Sequence, residues 1–402
     1  MFQTLIDPAF LAAGNGGTPV LDLNFAALKS LDSRITFASA STGTFINSAG
    51  LVETASAGVA RFTHDPATLE SLGLLVEESR ANLALWSNTF SSWTNFATTE
   101  SVELSSPFSF ESAWKLEEDA TTAFHQAQTT VSGGLVGGTA YTVSLYVKPA
   151  ERRVVQVVLF RGSDFAVYEI NLDTLVTGGS GSNFTSPTNR TVSVGANGYY
   201  RVSFTTTPTN SGTSFLNVRI GNSSYAGTAG HGLYVAGAQV EAGALATSYI
   251  PTAGASATRA ADVVTMTGSN FSSWYNQTEG TFVVDFISSG GTLPRVFEFV
   301  GVTRRIVLGG ETSNFEGDTG AATVSTNGYG TANRMAVAYA ASTVAAASNG
   351  GAVVSAASTN ATTATSIRIG DNTGGVRALN GTIARFRYYN RALASSLQAL
   401  ST

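Results

Sequence analysis

Cysteine is absent from the 402 residues, which excludes a disulfide framework, a thiolate zinc site and a cysteine nucleophile. Histidine occurs only at His64, His125 and His231, so imidazole chemistry has few places to sit. Lysine is nearly missing, with Lys29, Lys115 and Lys148 its only positions. The remaining cations are Arg, whose planar guanidinium suits fixed hydrogen-bonded geometry at packed surfaces. Charged residues make up 12% of the chain, so the exposed surface must be built mostly from Ser, Thr, Asn and Gly. No apolar run approaches the roughly 18 residues that span a bilayer as a helix. No basic residue precedes the apolar stretch within Met1–Gly14 either, so neither a signal peptide nor a membrane anchor is expected.

Apolar residues are 43% of the chain, enough for real cores and the reverse of the balance that disorder needs. The length is room for two or three domains. The net charge of −5 argues against a general nucleic-acid binder. It is also uneven. Residues 255–402 hold ten Arg against eight acids, whereas the first 254 hold twelve basic and nineteen acidic residues. Such a step fits separate modules meeting near residue 255.

The dominant periodicity is two. In Thr139–Lys148, Tyr141, Val143, Leu145 and Val147 share one face while Thr142, Ser144 and Lys148 share the other, which predicts a half-buried strand. Val154–Phe160, Tyr199–Thr205, Phe215–Ile220 and Leu233–Val240 follow, punctuated by Gly, Asn, Pro and Ser. A second series, Thr281–Ile287, Val296–Val300, Arg304–Leu308, Arg334–Ala340, Ser366–Gly370 and Thr382–Tyr389, begins after the small-residue linker Thr252–Thr258. Gly320–Thr365 is rich in Ala, Ser, Thr and Gly, and reads as thin strands with turns such as Asn349–Gly351. The fold expected is all-β: two antiparallel sandwiches, over 83–252 and 253–402. An irregular segment over 1–82 precedes them, with short helices at Asp7–Gly14 and Phe25–Leu31. That segment has too little regular structure for its own core and must pack on the sandwich, on a neighbouring subunit or on a larger particle.

Three stretches resemble virion proteins of tailed bacteriophages. The first is Leu31–Phe37, continued by Arg61–Pro66 and Leu72–Leu83, which looks like the leader of a carbohydrate-binding-module-like jelly roll in phage tail and structural proteins. The second comprises Ala238–Gly243, Ser248–Thr252 and Thr258–Asp262, similar to the closing strand and exit of that module. The third, Asn380–Leu393, looks like the last strand and terminal turn of a concanavalin A-like, laminin-G-like sandwich. The resemblance implies a virion protein assembled in the bacterial cytoplasm, a tail fibre, spike or surface adhesion protein contacting host polysaccharide. It also implies an N-terminal segment docked on other virion proteins and a homotrimeric assembly. A capsid-decorating or tail-assembly protein that binds no sugar is the alternative, and a polysaccharide depolymerase the third reading. The resemblance supplies no catalytic motif.

Sugar binding on such sandwiches uses aromatic faces for the apolar side of a pyranose ring and amides for its hydroxyls. Trp86, Trp93 and Trp114 are the candidates in the first sandwich, with His125, Gln126 and Gln128 as polar partners, and Trp274 and Tyr275 in the second. Large aromatics equally dominate cores and subunit contacts. Asp318, Asp371 and Asn372 lie in Gly-rich turns that could hold structural calcium, although no Asp-x-Asp-x-Asp-Gly loop exists and turn acids usually cap amides. The adjacent acids Glu77–Glu78 and Glu117–Asp119 point to opposite faces of a strand, unsuited to paired-carboxylate hydrolysis, so no enzyme is expected. Gly178–Gly181 is glycine-rich but has no phosphate-loop context.

Overall fold

A sheet with one apolar face must bury it against another layer, and this chain does so twice. The computed structural model of the protein describes residues 17–359 and 363–402, so the helix expected at Asp7–Gly14 lies outside the described residues. All sheets are antiparallel. One sandwich pairs two six-stranded sheets. The first sheet runs, edge to edge, through Thr188–Val194, Tyr200–Thr206, Tyr141–Pro149, Gly232–Ala242, Ala113–Glu118 and Thr98–Glu103. The second runs through Thr177–Ser182, Asp164–Asn171, Val154–Arg161, Gly212–Ala226, Thr122–Leu135 and Thr94–Phe96. Val143, Leu145 and Val147 from the first sheet meet Val155, Val157, Leu159 and Val218 from the second in a common core. The glycine-rich Thr177–Ser182 is thus an edge strand of this sandwich.

The other sandwich draws on both sides of the first. Its eight-stranded sheet has Gly280–Ser288 and Gly381–Tyr389 at the centre. On one side lie Asn333–Ala340, Thr343–Ser348 and Val354–Ala357. On the other, Gly381–Tyr389 pairs with Ser71–Val76, which pairs with Phe62–His64, and Leu21–Leu23 also pairs with Gly381–Tyr389. The facing seven-stranded sheet runs from Thr36–Ala38 through Val263–Thr267, Ser366–Ile369, Arg295–Val300, Arg305–Leu308 and Thr312–Glu316 to Ala321–Ser325. Leu21, Leu23, Phe25, Leu74 and Val76 share one core with Phe282, Phe297, Ile367 and Phe386.

The described part of the first 82 residues is therefore no separate docking body in front of two consecutive sandwiches. It completes the C-terminal sandwich, and residues 83–252 are inserted between two halves of that fold. Strands of three to six residues cannot hold together by themselves; they take their order from the sheet they join. The helix expected over Phe25–Leu31 is shorter, Phe25–Leu28. The Asn24 side chain accepts from the Ala27 amide at its start, and Lys29 in a left-handed conformation ends it.

At the two crossings between the sandwiches, Arg80–Asn82 pairs with Ala257–Arg259. Beside this ladder lies a buried ion network. Arg61 donates to Glu77 at 2.7 Å and to Asp262, and Arg259 stands 3.6 Å from Glu77. Ser248 donates from its amide and its hydroxyl to Glu77, each at 2.7 Å. Burial works to raise the Glu77 pKa, but Arg259 and Arg61 outweigh it and hold the carboxyl down at about 2. For Asp262 burial wins, and its pKa is raised despite Arg61.

Candidate functional site

The two outer faces of the inserted sandwich have opposite fates. Alternation predicts a half-buried strand at Tyr141–Val147, yet every residue there is buried. The reason is a cover over the outward side of the first sheet. Phe108 stacks on Tyr249 at 4.9 Å and meets Tyr146 edge-on at 5.4 Å. Val52, in the Gly43–Ala55 hairpin region, exchanges backbone bonds with Pro107 and Ser109. The outward polar side chains are bonded to the returning segment: Arg201 donates to the Thr247 carbonyl at 2.6 Å, and Thr247 donates its amide to Glu241 at 3.0 Å.

The outward face of the second sheet carries a different pattern. Leu216, Val218 and Ile220 point into the core, as do Val155, Val157 and Leu159. Period two then turns Phe215, Asn217 and Arg219 outward, together with Gln156, Val158 and Phe160. Register sets them in cross-strand rows. Phe96, Gln126, Arg219, Gln156 and Glu169 form one row, and Thr94, Gln128, Asn217, Val158 and Val167 the next. Phe215, Phe160 and Phe165 follow, with the rings of Phe160 and Phe215 stacked at 5.4 Å. Phe96 and Phe124 remain 42% and 43% exposed.

The polar centre of this face is ordered but not saturated. Arg219 donates from Nε to Gln126 Oε1 at 2.6 Å, and its guanidinium lies 4.9 Å from the Phe124 ring centroid. Burial lowers the Arg219 pKa from its usual value, with no carboxylate beside it to offset that cost. Gln156 donates to Glu169 at 2.9 Å. Asn217, only 1% exposed, holds its Oδ1 buried without a hydrogen-bond partner. Such groups are costly unless something satisfies them. Amides, a guanidinium, a carboxylate and flanking rings on one open sheet face make a surface able to bond hydroxyls while covering C–H faces.

Of the residues singled out from sequence, Gln126 and Gln128 lie on this face and the others do not. His125 points to the opposite side of the same strand. Its two ring nitrogens lie 2.8 Å from the Ala97 carbonyl and 3.2 Å from the Tyr225 carbonyl, and the residue is fully buried. Trp93 belongs to the core, stacked on Phe90 at 4.4 Å. Trp114 packs against that core and donates from Nε1 to the Asn88 carbonyl at 2.7 Å. Trp86, 36% exposed with a positive φ of 53°, sits at the crossing between sandwiches, its amide bonded to Ala253 and its ring against Gly254. Trp274 and Tyr275 are core residues of the other sandwich, packed with Phe271, Phe299 and Tyr388. Arg304, fully buried, donates to the Tyr275 hydroxyl at 2.7 Å. Trp93→Ala and Trp274→Ala should each cost about 3–5 kcal/mol, as large core truncations do, and should leave ligand affinity of the remaining folded protein unchanged; chemical denaturation and binding on the same samples check both.

Asp318 and the pair Asp371–Asn372 are not brought together. Asp318 accepts from the Thr303 amide, past one end of the strand Arg295–Val300, while Asp371 follows the strand Ser366–Ile369 at the other end. Asp371 and Asn372 accept backbone amides instead, from Asn372 and Arg377 and from Val376. Among the described residues no group of three or more His, Cys, Asp or Glu is placed to hold a metal ion. The adjacent acids are ion-pair partners: Glu118 with Arg152, Glu78 with Arg80, and Glu117 near Lys115.

Sequence reasoning missed Gln156, Glu169, Asn217 and Arg219. The signal was present as Asn217 and Arg219 at alternate positions of Phe215–Ile220 and as the lone polar Gln156 within Val154–Phe160; Glu169 lies in the strand Asp164–Asn171, which neither stretch marks.

No protein-family model matches the chain, and no curated protein does. Among solved structures the chain is similar to the mouse laminin alpha1 chain, domains LG4-5, at 13% identity over 68% of this chain and 91% of that one, with a TM-score of 0.23.

Proposed function

We propose that this protein is a virion structural and adhesion protein of a tailed bacteriophage, not an enzyme, and that its inserted sandwich contacts host-surface glycans through the open sheet face. The virion reading is supported by the three sequence stretches described above. The glycan reading is carried by one observation: two adjacent cross-strand rows, one holding Gln126, Arg219 and Gln156 and the next Gln128 and Asn217, beside the exposed Phe96 and Phe124. On this reading the hydroxyls of the glycan meet the amides of Gln126 and Gln128, and an oxygen of the glycan accepts from Arg219.

A glycan array carrying bacterial surface polysaccharides tests it. The intact chain should bind, and Arg219→Ala should weaken binding about 10- to 100-fold, the range of a lost charge-assisted hydrogen bond of roughly 1.5–3 kcal/mol. Absence of binding with normal incorporation into particles would favour the second reading, a capsid-decorating or tail-assembly component. That reading has its own support. Val102 and Leu104 stand 57% and 85% exposed on and beside Thr98–Glu103, an edge strand of the first sheet. Unpaired edges and exposed apolar side chains are where other chains attach. Homotrimeric assembly and docking on other virion proteins belong to the same proposal, and sedimentation of the purified chain reads the first of these.

A further inference from the structure

The outward face of the eight-stranded sheet has an apolar part and a charged part. Phe282, Val284, Phe386 and Tyr388 point into the core of the C-terminal sandwich, so period two turns Val283, Asp285, Arg385, Arg387 and Tyr389 outward. Leu393 and, from the closing helix Leu397–Leu400, Leu397 and Leu400 pack over Val283, Ala336, Ala338 and Tyr389. Beside that cover, Arg385, Asp285 and Arg334 form one cross-strand row, with Asp22 and Arg387 in the adjacent row.

The ion pairs of this face are one carboxylate short. Arg334 donates from Nε and Nη2 to the two oxygens of Asp285. Asp22 is the register partner of Arg387, yet both its oxygens accept from Arg385, at 2.8 and 2.5 Å. Three guanidiniums therefore share two carboxylates. Arg387 is the one left over, with no hydrogen bond or ion pair among the described residues. Its Nε is buried without an acceptor. Nη1 and Nη2 have no acceptor either, but they keep surface open to solvent. Burial lowers the Arg387 pKa, and Asp285 and Tyr389 offset this only in part. A half-buried guanidinium without a counter-ion is costly to keep.

We propose that Arg387 anchors a binding site for one carboxylate, carried by a small acid or by an acidic sugar. The two open Nη groups lie in the plane of the guanidinium and match the paired oxygens of a carboxylate. The five charged groups, three positive and two negative, leave a net of one positive charge. A carboxylate neutralises it, whereas a doubly charged phosphate would overshoot beside Asp22 and Asp285. The site lies on the other sandwich from the open sheet face and does not depend on it.

The probes are acetate, methyl β-glucuronide and the neutral methyl β-glucoside, added singly to the intact chain. The readout is the Arg387 Nε–H signal in a ¹H–¹⁵N spectrum, assigned by its loss in Arg387→Gln. Acetate and the glucuronide should shift it, and the glucoside should not. Binding of the glucuronide about tenfold tighter than acetate would assign the carboxylate to an acidic sugar, and equal binding would assign it to a small acid. By calorimetry, Arg387→Gln should weaken carboxylate binding about 10- to 100-fold. Arg387→Lys, which keeps the charge without the paired nitrogens, should recover only part of it. Arg219→Ala should change nothing here, so failure of this site and failure of the sheet-face reading are told apart. Arg387→Met should melt no lower than the unsubstituted protein in carboxylate-free buffer, because the removed charge has no partner to lose. A clear fall in melting temperature would make Arg387 a structural residue and overturn the proposal. So would no shift from either carboxylate, or a shift from the glucoside equal to that from the glucuronide. Concentration-dependent self-association abolished by Arg387→Gln would place a second copy's carboxylate there and overturn the ligand class.

Discussion

A fragment of residues 253–402 should not fold, whereas residues 83–252 alone should give a stable, cooperatively melting sandwich. Strand spacing and linker composition predict a domain boundary at each of these points, but the sheet pairings favour only one of the two bodies. Without Leu21–Leu23 and Ser71–Val76, the central strand Gly381–Tyr389 loses its partners on one side, and Ile383 and Phe386 lose Leu74, Val76 and Phe25 as core neighbours. A domain that loses part of its main core loses more than its net stability, which is seldom above about 15 kcal/mol. Residues 83–252 keep both of their six-stranded sheets and the core between them, losing only the cover that Val52 and its hairpin lay over the first sheet. Fusing residues 17–82 to 253–402 through a short Gly-Ser linker, in place of the inserted sandwich, should restore folding. Circular dichroism melts of the three proteins decide the matter; a cooperative melt from 253–402 alone would contradict the topology.

Arg61→Met should destabilise the protein by about 3–5 kcal/mol, the range for removing one partner of a buried ion pair. The substitution keeps an unbranched apolar stem in place of the Arg61 methylenes, removes the guanidinium, and leaves Glu77 and Asp262, both buried, sharing Arg259 as their remaining nearby cation. The pH dependence has a definite sign. Folding lowers the Glu77 pKa from 4.5 to about 2, so its contribution is complete above pH 4.5 and is lost as pH falls through about 2. Asp262 works against this: its pKa is raised on folding, so stability from that group belongs to the acid side and is lost as pH rises. Glu77→Gln should therefore cost about 3 kcal/mol at pH 7, and the gap from the unsubstituted protein should narrow between pH 4.5 and pH 2. Urea midpoints at pH 7, 4 and 3 measure it; a gap independent of pH would show that Glu77 acts by packing rather than by charge.

How much of this could be read from the sequence depends on how local each signal is. Strands such as Val154–Arg161 and Gly280–Ser288 announce themselves through β-branched runs and turn residues at their ends, and the structure places strands where alternation predicts them. Ser71–Val76 does not announce its place, because its partner lies some three hundred residues away. The insertion was hidden for that reason. Full burial of Tyr141–Val147 was equally invisible, since the cover over its polar side comes from three distant segments. The tryptophans misled because a large ring signals burial as readily as recognition. Period two, applied strictly, would already have separated His125 from Gln126 and Gln128, and would have added Asn217 and Arg219 to them.

The side-chain amides offer the most direct test of the central claim. Gln126, Gln128, Gln156 and Asn217 each carry an NH₂ group visible in a ¹H–¹⁵N spectrum, and all four lie on the open sheet face. Titrating the inserted sandwich, residues 83–252, with oligosaccharide fragments of the host's surface polysaccharide should move these four signals together, with Arg219 Nε–H, and leave the Trp93 and Trp114 indole signals in place. Shifts confined to the indoles, or no shift of the four amides at saturating sugar, would contradict the assignment of this face as the glycan-binding surface.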